Sequence, residues 1–87
     1  MIYEIQFPDE VWDQIHALPA HADEPLAEAM IVLAREPWYG RPAHRANPDG
    51  AVRQFVYGFG NGLIIYLILE QQKLVVVERV LWLEDLG

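Results

Sequence analysis

Leu63-Ile64-Ile65-Tyr66-Leu67-Ile68-Leu69 carries no polar group except one phenol, and Gly60-Asn61-Gly62 and Glu70-Gln71-Gln72-Lys73 bound it on either side. A short apolar run between turn signals reads as a strand buried on both faces. Side chains alternate along a strand, so Leu63, Ile65 and Leu67 leave one face while Ile64, Tyr66 and Ile68 leave the other. The stretch before it, Ala51 to Tyr57, also alternates, with Arg53, Phe55 and Tyr57 on one side and Val52, Gln54 and Val56 on the other. The stretch after it, Leu74 to Leu83, is apolar except for Glu78 and Arg79. Gly58-Phe59-Gly60-Asn61-Gly62 joins two strands and opens no helix, so it reads as a hairpin turn and not as a phosphate cradle. Together these residues predict an antiparallel meander.

Upstream, Ile2 to Phe7 mixes β-branched and aromatic residues in rough alternation and reads as a strand that Pro8 ends. Asp9 is placed as a helix N-cap, and Val11, Trp12, Ile15 and Leu18 form the apolar face of a short helix stopped by Pro19, with Trp12 in the core. A second helix starts near Asp23, tolerates Pro25 in its first turn, and ends before Pro37. Its face is Leu26, Ala29, Met30 and Leu33; Ile31 and Val32 widen it, so this helix is expected to be covered on two sides. Residues 37–50, rich in Pro and Gly, read as a loop. The expected fold is one α+β domain over residues 1–87, in the order β-α-α-β-β-β. An antiparallel sheet carries a helical hairpin on one face, and the sequence does not fix where the first strand lies.

Composition narrows the function. The chain has 87 residues, 53% of them hydrophobic, which suffices for one core and for no second domain. With no cysteine it has neither a disulfide framework nor a thiolate metal site, and His16 and His21, split by Pro19, share no helix face as a metal pair would. No metal and no cofactor is expected. The start lacks a basic, apolar leader and no run approaches the roughly 20 residues of a membrane span, so a soluble, cytoplasmic protein with no membrane contact is expected. Thirteen acids against six bases give a net charge of −7, which repels nucleic acid and anionic lipid at long range.

Two short helices blanket one face of such a sheet and not both. Whichever set of the central strand they miss leaves roughly 300–400 Å² of apolar surface in water, a size that marks interaction sites. At ~25 cal/mol per Å², covering it is favourable by roughly 8–10 kcal/mol before association costs. A partner chain or a second copy is expected there, through Leu63, Ile65, Leu67 and Trp82; the alternative is that the long loop and the C-terminal tail fold over it.

The leading strand, the helical hairpin, Pro37-Trp38-Tyr39-Gly40 after the second helix, Arg53 opening the next strand and Tyr66 in the apolar strand resemble the RelE/ParE superfamily of type II toxin–antitoxin toxins. The resemblance covers nearly the whole chain, through short motifs. It implies a toxin silenced by an antitoxin that wraps its surface, acting on RNA at the ribosome as an endoribonuclease in the RelE-like branch, or on DNA gyrase in the ParE-like branch. RNA-cutting members place a basic residue before two apolar residues and a Tyr; here the tetrad is Leu63-Ile64-Ile65-Tyr66, with Leu63 in the basic position. They also carry basic residues and a Tyr or His after the last strand, where this chain reads Trp82-Leu83-Glu84-Asp85-Leu86-Gly87. Phosphodiester cleavage needs a proton acceptor, a donor and a cation, and the family's usual positions do not supply that set here.

Arg41, His44, Arg45 and Arg53 are the basic concentration of the sequence and its candidate catalytic patch, with Trp38 and Tyr39 near enough to stack a base. The alternative is a solvated loop whose arginines pair with the acids. The resemblance gives Arg53 a substrate-side place; as an ordinary strand residue it is an ion-pair partner of Glu78 or Glu70. His44 is an acid/base candidate because its pKa lies near neutrality. A catalytically silent binding module on the same scaffold, self-associating as a homodimer, is the competing reading.

Overall fold

A computed structural model of the chain describes residues 2–44, 46 and 49–83. Its elements are β1 (Glu4–Gln6), α1 (Asp9–His16), α2 (Asp23–Arg35), β2 (Arg41–Pro42), β3 (Val52–Tyr57), β4 (Gly62–Leu69) and β5 (Leu74–Trp82), with single 3₁₀ turns over Ala20–Ala22 and Pro37–Tyr39. The strands form one sheet of order β1-β5-β4-β3-β2, with β4 in the middle. The meander β3-β4-β5 is antiparallel, as its sequence implies.

Four expectations change. The sheet is mixed, because β1 runs parallel to β5, with Ile5 beside Val75. The chain leaves β1 through both helices before it returns to the sheet, and a crossover of that length permits a parallel neighbour. Second, residues 37–50 are more than a loop: Arg41–Pro42 pair with Arg53 and Gln54 as an edge strand, and the Ala43 N–H donates to the Val52 carbonyl at 2.9 Å. Pro42 hides this strand from the sequence pattern, since proline is accepted only where no ladder donor is needed. Third, Trp12 is 44% exposed and packs on Phe7, with ring centroids 4.9 Å apart, and Ile31 and Val32 of α2 also face solvent. Pro8 rather than Asp9 occupies the cap of α1, so Asp9 lies in the first turn, where its charge suits the positive helix end.

The helices cover the Ile64, Tyr66 and Ile68 side of β4; all three are buried, against Val11 of α1 and Leu26, Ala29 and Leu33 of α2. On β5 the inward residues are Val75, Val77, Val80 and Trp82, a spacing that breaks the period of two between Val77 and Val80. A bulge between Ile65/Tyr66 and the Val77–Arg79 stretch absorbs the extra residue. It explains why Glu78 and Arg79 stand together in an otherwise apolar strand: both are exposed at the bulge, and the alternation resumes behind them. Beyond β1 the outer edge of β5 is closed by a side chain, with the Val80 N–H donating to Gln14 Oε1 of α1 at 2.8 Å. Among the described residues no helix is long and apolar enough to cross a membrane.

These facings set unequal costs for neighbouring truncations. Ile64→Ala, at full burial, should cost about 2–5 kcal/mol, whereas Ile65→Ala, on the side without helices, should cost about 1 kcal/mol. Urea denaturation of the two variants measures the difference, and equal losses would contradict the assigned faces.

Candidate functional site

Strand register builds a row across the side of the sheet away from the helices: Arg41 lies beside Gln54, Gln54 beside Ile65, and Ile65 beside Arg79. Leu63 and Leu67 stand on either side of Ile65 along β4, and all three are half-buried by neighbouring side chains alone. Leu63 belongs to a groove of about 460 Å³ lined also by Tyr39, Arg41, Gln54 and Val56. Leu67 also touches a second groove, of about 250 Å³, at the edge of β5, where Pro8, Glu10 and Val11 of the α1 side meet Val76, Val77 and Glu78. The face thus has an apolar centre with Arg41 toward β2 and the adjacent charges of Glu78 and Arg79 toward β5.

The basic concentration of the sequence is divided by this geometry. Arg41 and Arg53 point to opposite sides, because Arg53 pairs in register with Pro42 and Tyr66 while Arg41 pairs with Gln54. Arg53 Nη1 donates to the Gly40 carbonyl and Nε to the Gly50 carbonyl, both at 3.0 Å, and the guanidinium stands 4.9 Å from the centre of the Trp38 ring. His44 is exposed just past β2, and Arg45 lies outside the described residues. Trp82 is not brought to Leu63, Ile65 and Leu67 either. It shares the inward side with Val80, is 7% exposed, and packs on Tyr57 and His21 at centroid distances of 5.6 Å each. The tail Glu84-Asp85-Leu86-Gly87, which lacks the basic residues and the Tyr or His of the RNA-cutting members, lies outside the described residues. Arg79 and Gln54 are the members of the row that sequence reading passed over. The bulge conceals Arg79, since its facing cannot be counted through an extra residue.

Tyr66 is buried, and its hydroxyl donates to the Pro37 carbonyl at 2.6 Å. Burial pushes its pKa up to about 12, against the opposing effects of the Gly40 backbone and the Arg53 charge, so it is a poor proton shuttle. Gly40 makes the contact possible: a Cβ there would lie 2.0 Å from the Tyr66 hydroxyl oxygen and 2.8 Å from the Gln54 carbonyl. The Pro37–Gly40 turn, Arg53 and Tyr66 therefore form one lock that sets the start of β2, and with it Arg41, against β3.

The lock extends outward through Trp38. Its indole N–H donates to Glu70 Oε1 at 2.7 Å, the Tyr3 hydroxyl donates to the same oxygen at 2.6 Å, and Lys73 pairs with the other oxygen. The bond from Lys73, then those from Tyr3 and Trp38, hold the Glu70 pKa down to about 2 from an ordinary 4.5. Glu70 thereby joins the N-terminal strand, the turn before β2 and the β4–β5 hairpin.

Two outcomes follow from the lock. Gly40→Ala should destabilise the fold by about 2–4 kcal/mol through overpacking and a strained hydrogen bond. In a Tyr66→Phe background the added cost should be smaller, because the hydroxyl it strikes is gone, and a double-mutant cycle in urea reads that coupling. A lowered folded-state pKa means that Glu70 supports the fold fully above about pH 4.5 and loses that support as pH falls toward 2. The Glu70 carboxyl resonance and the Trp38 indole proton should titrate together near pH 2; a shared midpoint at 4.5 would show that the contacts do not form.

No family model and no curated protein matches the sequence. Solved structures do match in three dimensions. A chain of the toxin–antitoxin complex RelBE2 from Mycobacterium tuberculosis superposes with a TM-score of 0.78 at 24% identity, over 94% of this chain and 99% of that one. A double-mutant form of the E. coli toxin RelE in the free state gives 0.75 at 17% identity, over 98% and 87%. A chain of the archaeal RelE–RelB complex from Pyrococcus horikoshii gives 0.65 at 15%, over 95% and 97%. At these identities the likeness is one of architecture. From end to end of its described elements, this chain has the RelE-like fold.

Proposed function

We propose that this chain is the toxin component of a toxin–antitoxin pair, inhibiting growth through translation or through gyrase and neutralised by a partner protein. One observation carries the reading: the fold matches RelE-type chains over 82–99% of their length, among them chains solved together with antitoxins. The face without helices adds support, because it offers a partner an apolar centre with charges on both flanks.

The residues on that face favour holding a target over cutting one. Strand cleavage of RNA requires an acceptor for the 2′-hydroxyl proton, a donor for the leaving oxygen and a cation for the phosphorane charge. The groove between β2 and β4 presents a cation in Arg41, a stacking ring in Tyr39 and an amide in Gln54, a set that grips a phosphate and a base. Arg53 and Tyr66 are committed to backbone carbonyls inside the fold. Leu63 and Val56 make the floor of the groove apolar where a phosphate-cleaving site needs charge. Inhibition by occupancy, on the ribosome or on gyrase, suits this set of side chains better than an endoribonuclease.

A specific observation favours a second reading. Leu63, Ile65 and Leu67 build a centre suited to protein contact, which also fits a catalytically silent binding module on the RelE-like scaffold. Controlled expression in a bacterial host separates the two. The toxin reading expects growth arrest, relief by the product of a neighbouring small gene, and loss of arrest in Arg41→Ala while the protein still folds. Undisturbed growth with folded protein accumulating would leave the binding module as the function.

A further inference from the structure

The rim of β3 beyond β2 is an unfilled strand position, and we infer that it receives an extended segment of a partner protein as an added strand. Backbone bonds between antiparallel strands engage every second residue. The Ile68 N–H donates to the Ala51 carbonyl at 2.9 Å, so the residues turned toward β4 are Ala51, Arg53, Phe55 and Tyr57. Val52, Gln54 and Val56 therefore direct their backbone groups away from β4. The Ala43 N–H meets Val52, and Arg41 lies beside Gln54. The next place in that register belongs to Tyr39, which instead sits in its 3₁₀ turn, the N–H donating to the Glu36 carbonyl at 3.0 Å. Among the described residues, no backbone group meets the N–H or the carbonyl of Val56.

A groove lies on each side of this rim. On the helix side, one of about 340 Å³ separates the rim from α2 and is walled by Pro25, Glu28, Ala29 and Val32. On the other side is the groove of Tyr39, Arg41 and Leu63, and Phe55 and Val56 line both. A strand laid along Val56 sends alternate side chains into the two grooves, so that the backbone supplies affinity and the grooves supply specificity. It also covers Val32, an apolar residue that α2 leaves partly in water. Phe59 closes the helix-side groove at the hairpin tip. It is wholly exposed at φ 58°, a left-handed conformation that bulky side chains avoid.

Geometry and charge select the occupant. An open donor and acceptor on one residue call for a backbone with free groups of its own, which an extended segment has and a helix has spent internally. A second copy offering the same rim does not fit: paired antiparallel about Val56, its β2 would fall against Gly58 to Gly60 of the first. Nucleic acid is repelled by Glu28 and by the net charge of −7. Glu28 on one side and Arg41 on the other give the segment its chemistry: apolar residues at alternate places, a basic side chain toward α2 and an acidic one toward β2. The inference goes beyond growth inhibition, because it concerns how a partner segment is held and not what the chain does to a target.

Linear nonapeptides displayed on phage and selected on the purified full chain test it. The enriched sequences should alternate apolar residues and carry an acid and a base on opposite faces of the strand. In the free chain the Val56 amide should exchange with deuterium faster than those of Phe55 and Tyr57, and a synthetic copy of a selected peptide should slow Val56 by at least about tenfold. Val32→Glu, at an exposed position of α2, and Val56→Pro, which removes the open donor where no ladder bond is lost, should each weaken peptide binding by at least about tenfold. Circular dichroism checks that both variants fold; if Val56→Pro does not, exchange of Val56 in the wild-type chain decides the backbone contact. A Val56 amide already protected in the free chain, a selection that yields no binder, or peptides that ignore these substitutions and leave Val56 exchange unchanged would overturn the inference.

Discussion

The hydrogen bond from the Tyr66 hydroxyl to the Pro37 carbonyl organises the rest of the structure. It takes the one polar group of the central strand and uses it to pin the turn after α2 onto the buried side of the sheet. A phenol at this depth without an acceptor would cost about 1–3 kcal/mol, so the turn must come close. Close approach requires Gly40, and the Gly40 carbonyl in turn receives Arg53. From that point the backbone passes into β2, which places Arg41 on the opposite side of the sheet. A contact in the core thus decides which arginine faces solvent.

The interior consequently separates roles that look alike in the sequence. Arg41 and Arg53 both belong to the basic stretch, yet one is exposed at the groove and the other is spent on carbonyl oxygens and an indole ring. The residues that carry the resemblance to RelE/ParE toxins, Pro37 through Gly40, Arg53 and Tyr66, turn out to be the parts of the lock. They are markers of architecture. Among the described residues of the open face, the chemistry-bearing side chains are instead Tyr39 and Glu78, with Arg41, Gln54 and Arg79 at positions fixed by cross-strand register.

Much of the fold was legible because β4 is a run of alternating large side chains between two clear turns, and alternation fixes facing without knowledge of partners. Both helices and the β3-β4-β5 meander follow from local patterns of that kind. The parallel pairing of β1 with β5 did not, since three residues with one inward side chain, Ile5, do not encode a neighbour seventy positions away. β2 was hidden by Pro42, and the facing of Arg79 by an inserted residue at the bulge. Trp12 failed for another reason: helical spacing put it beside Val11 on the apolar face, but Val11 and the amide of Gln14 turn toward the sheet while the Trp12 ring packs outside on Phe7. Trp82 followed its strand inward, where the sequence alone allowed either side. The candidate site was the least legible part, because opposite faces of one strand draw on adjacent letters.

Gln14 carries a further meaning beyond the packing of α1. An open strand rim is a template on which further chains can polymerise, and a sheet with one oily surface is especially exposed to that fate. Here the amide of Gln14 occupies the rim of β5, while Pro42 interrupts donors at the rim of β2. Growth of the sheet sideways is therefore obstructed beside Val80, on the part of β5 that β1 leaves uncovered, and along β2 at the far end of the sheet. A protein built this way can keep a sticky surface for a purpose and still stay clear of fibres.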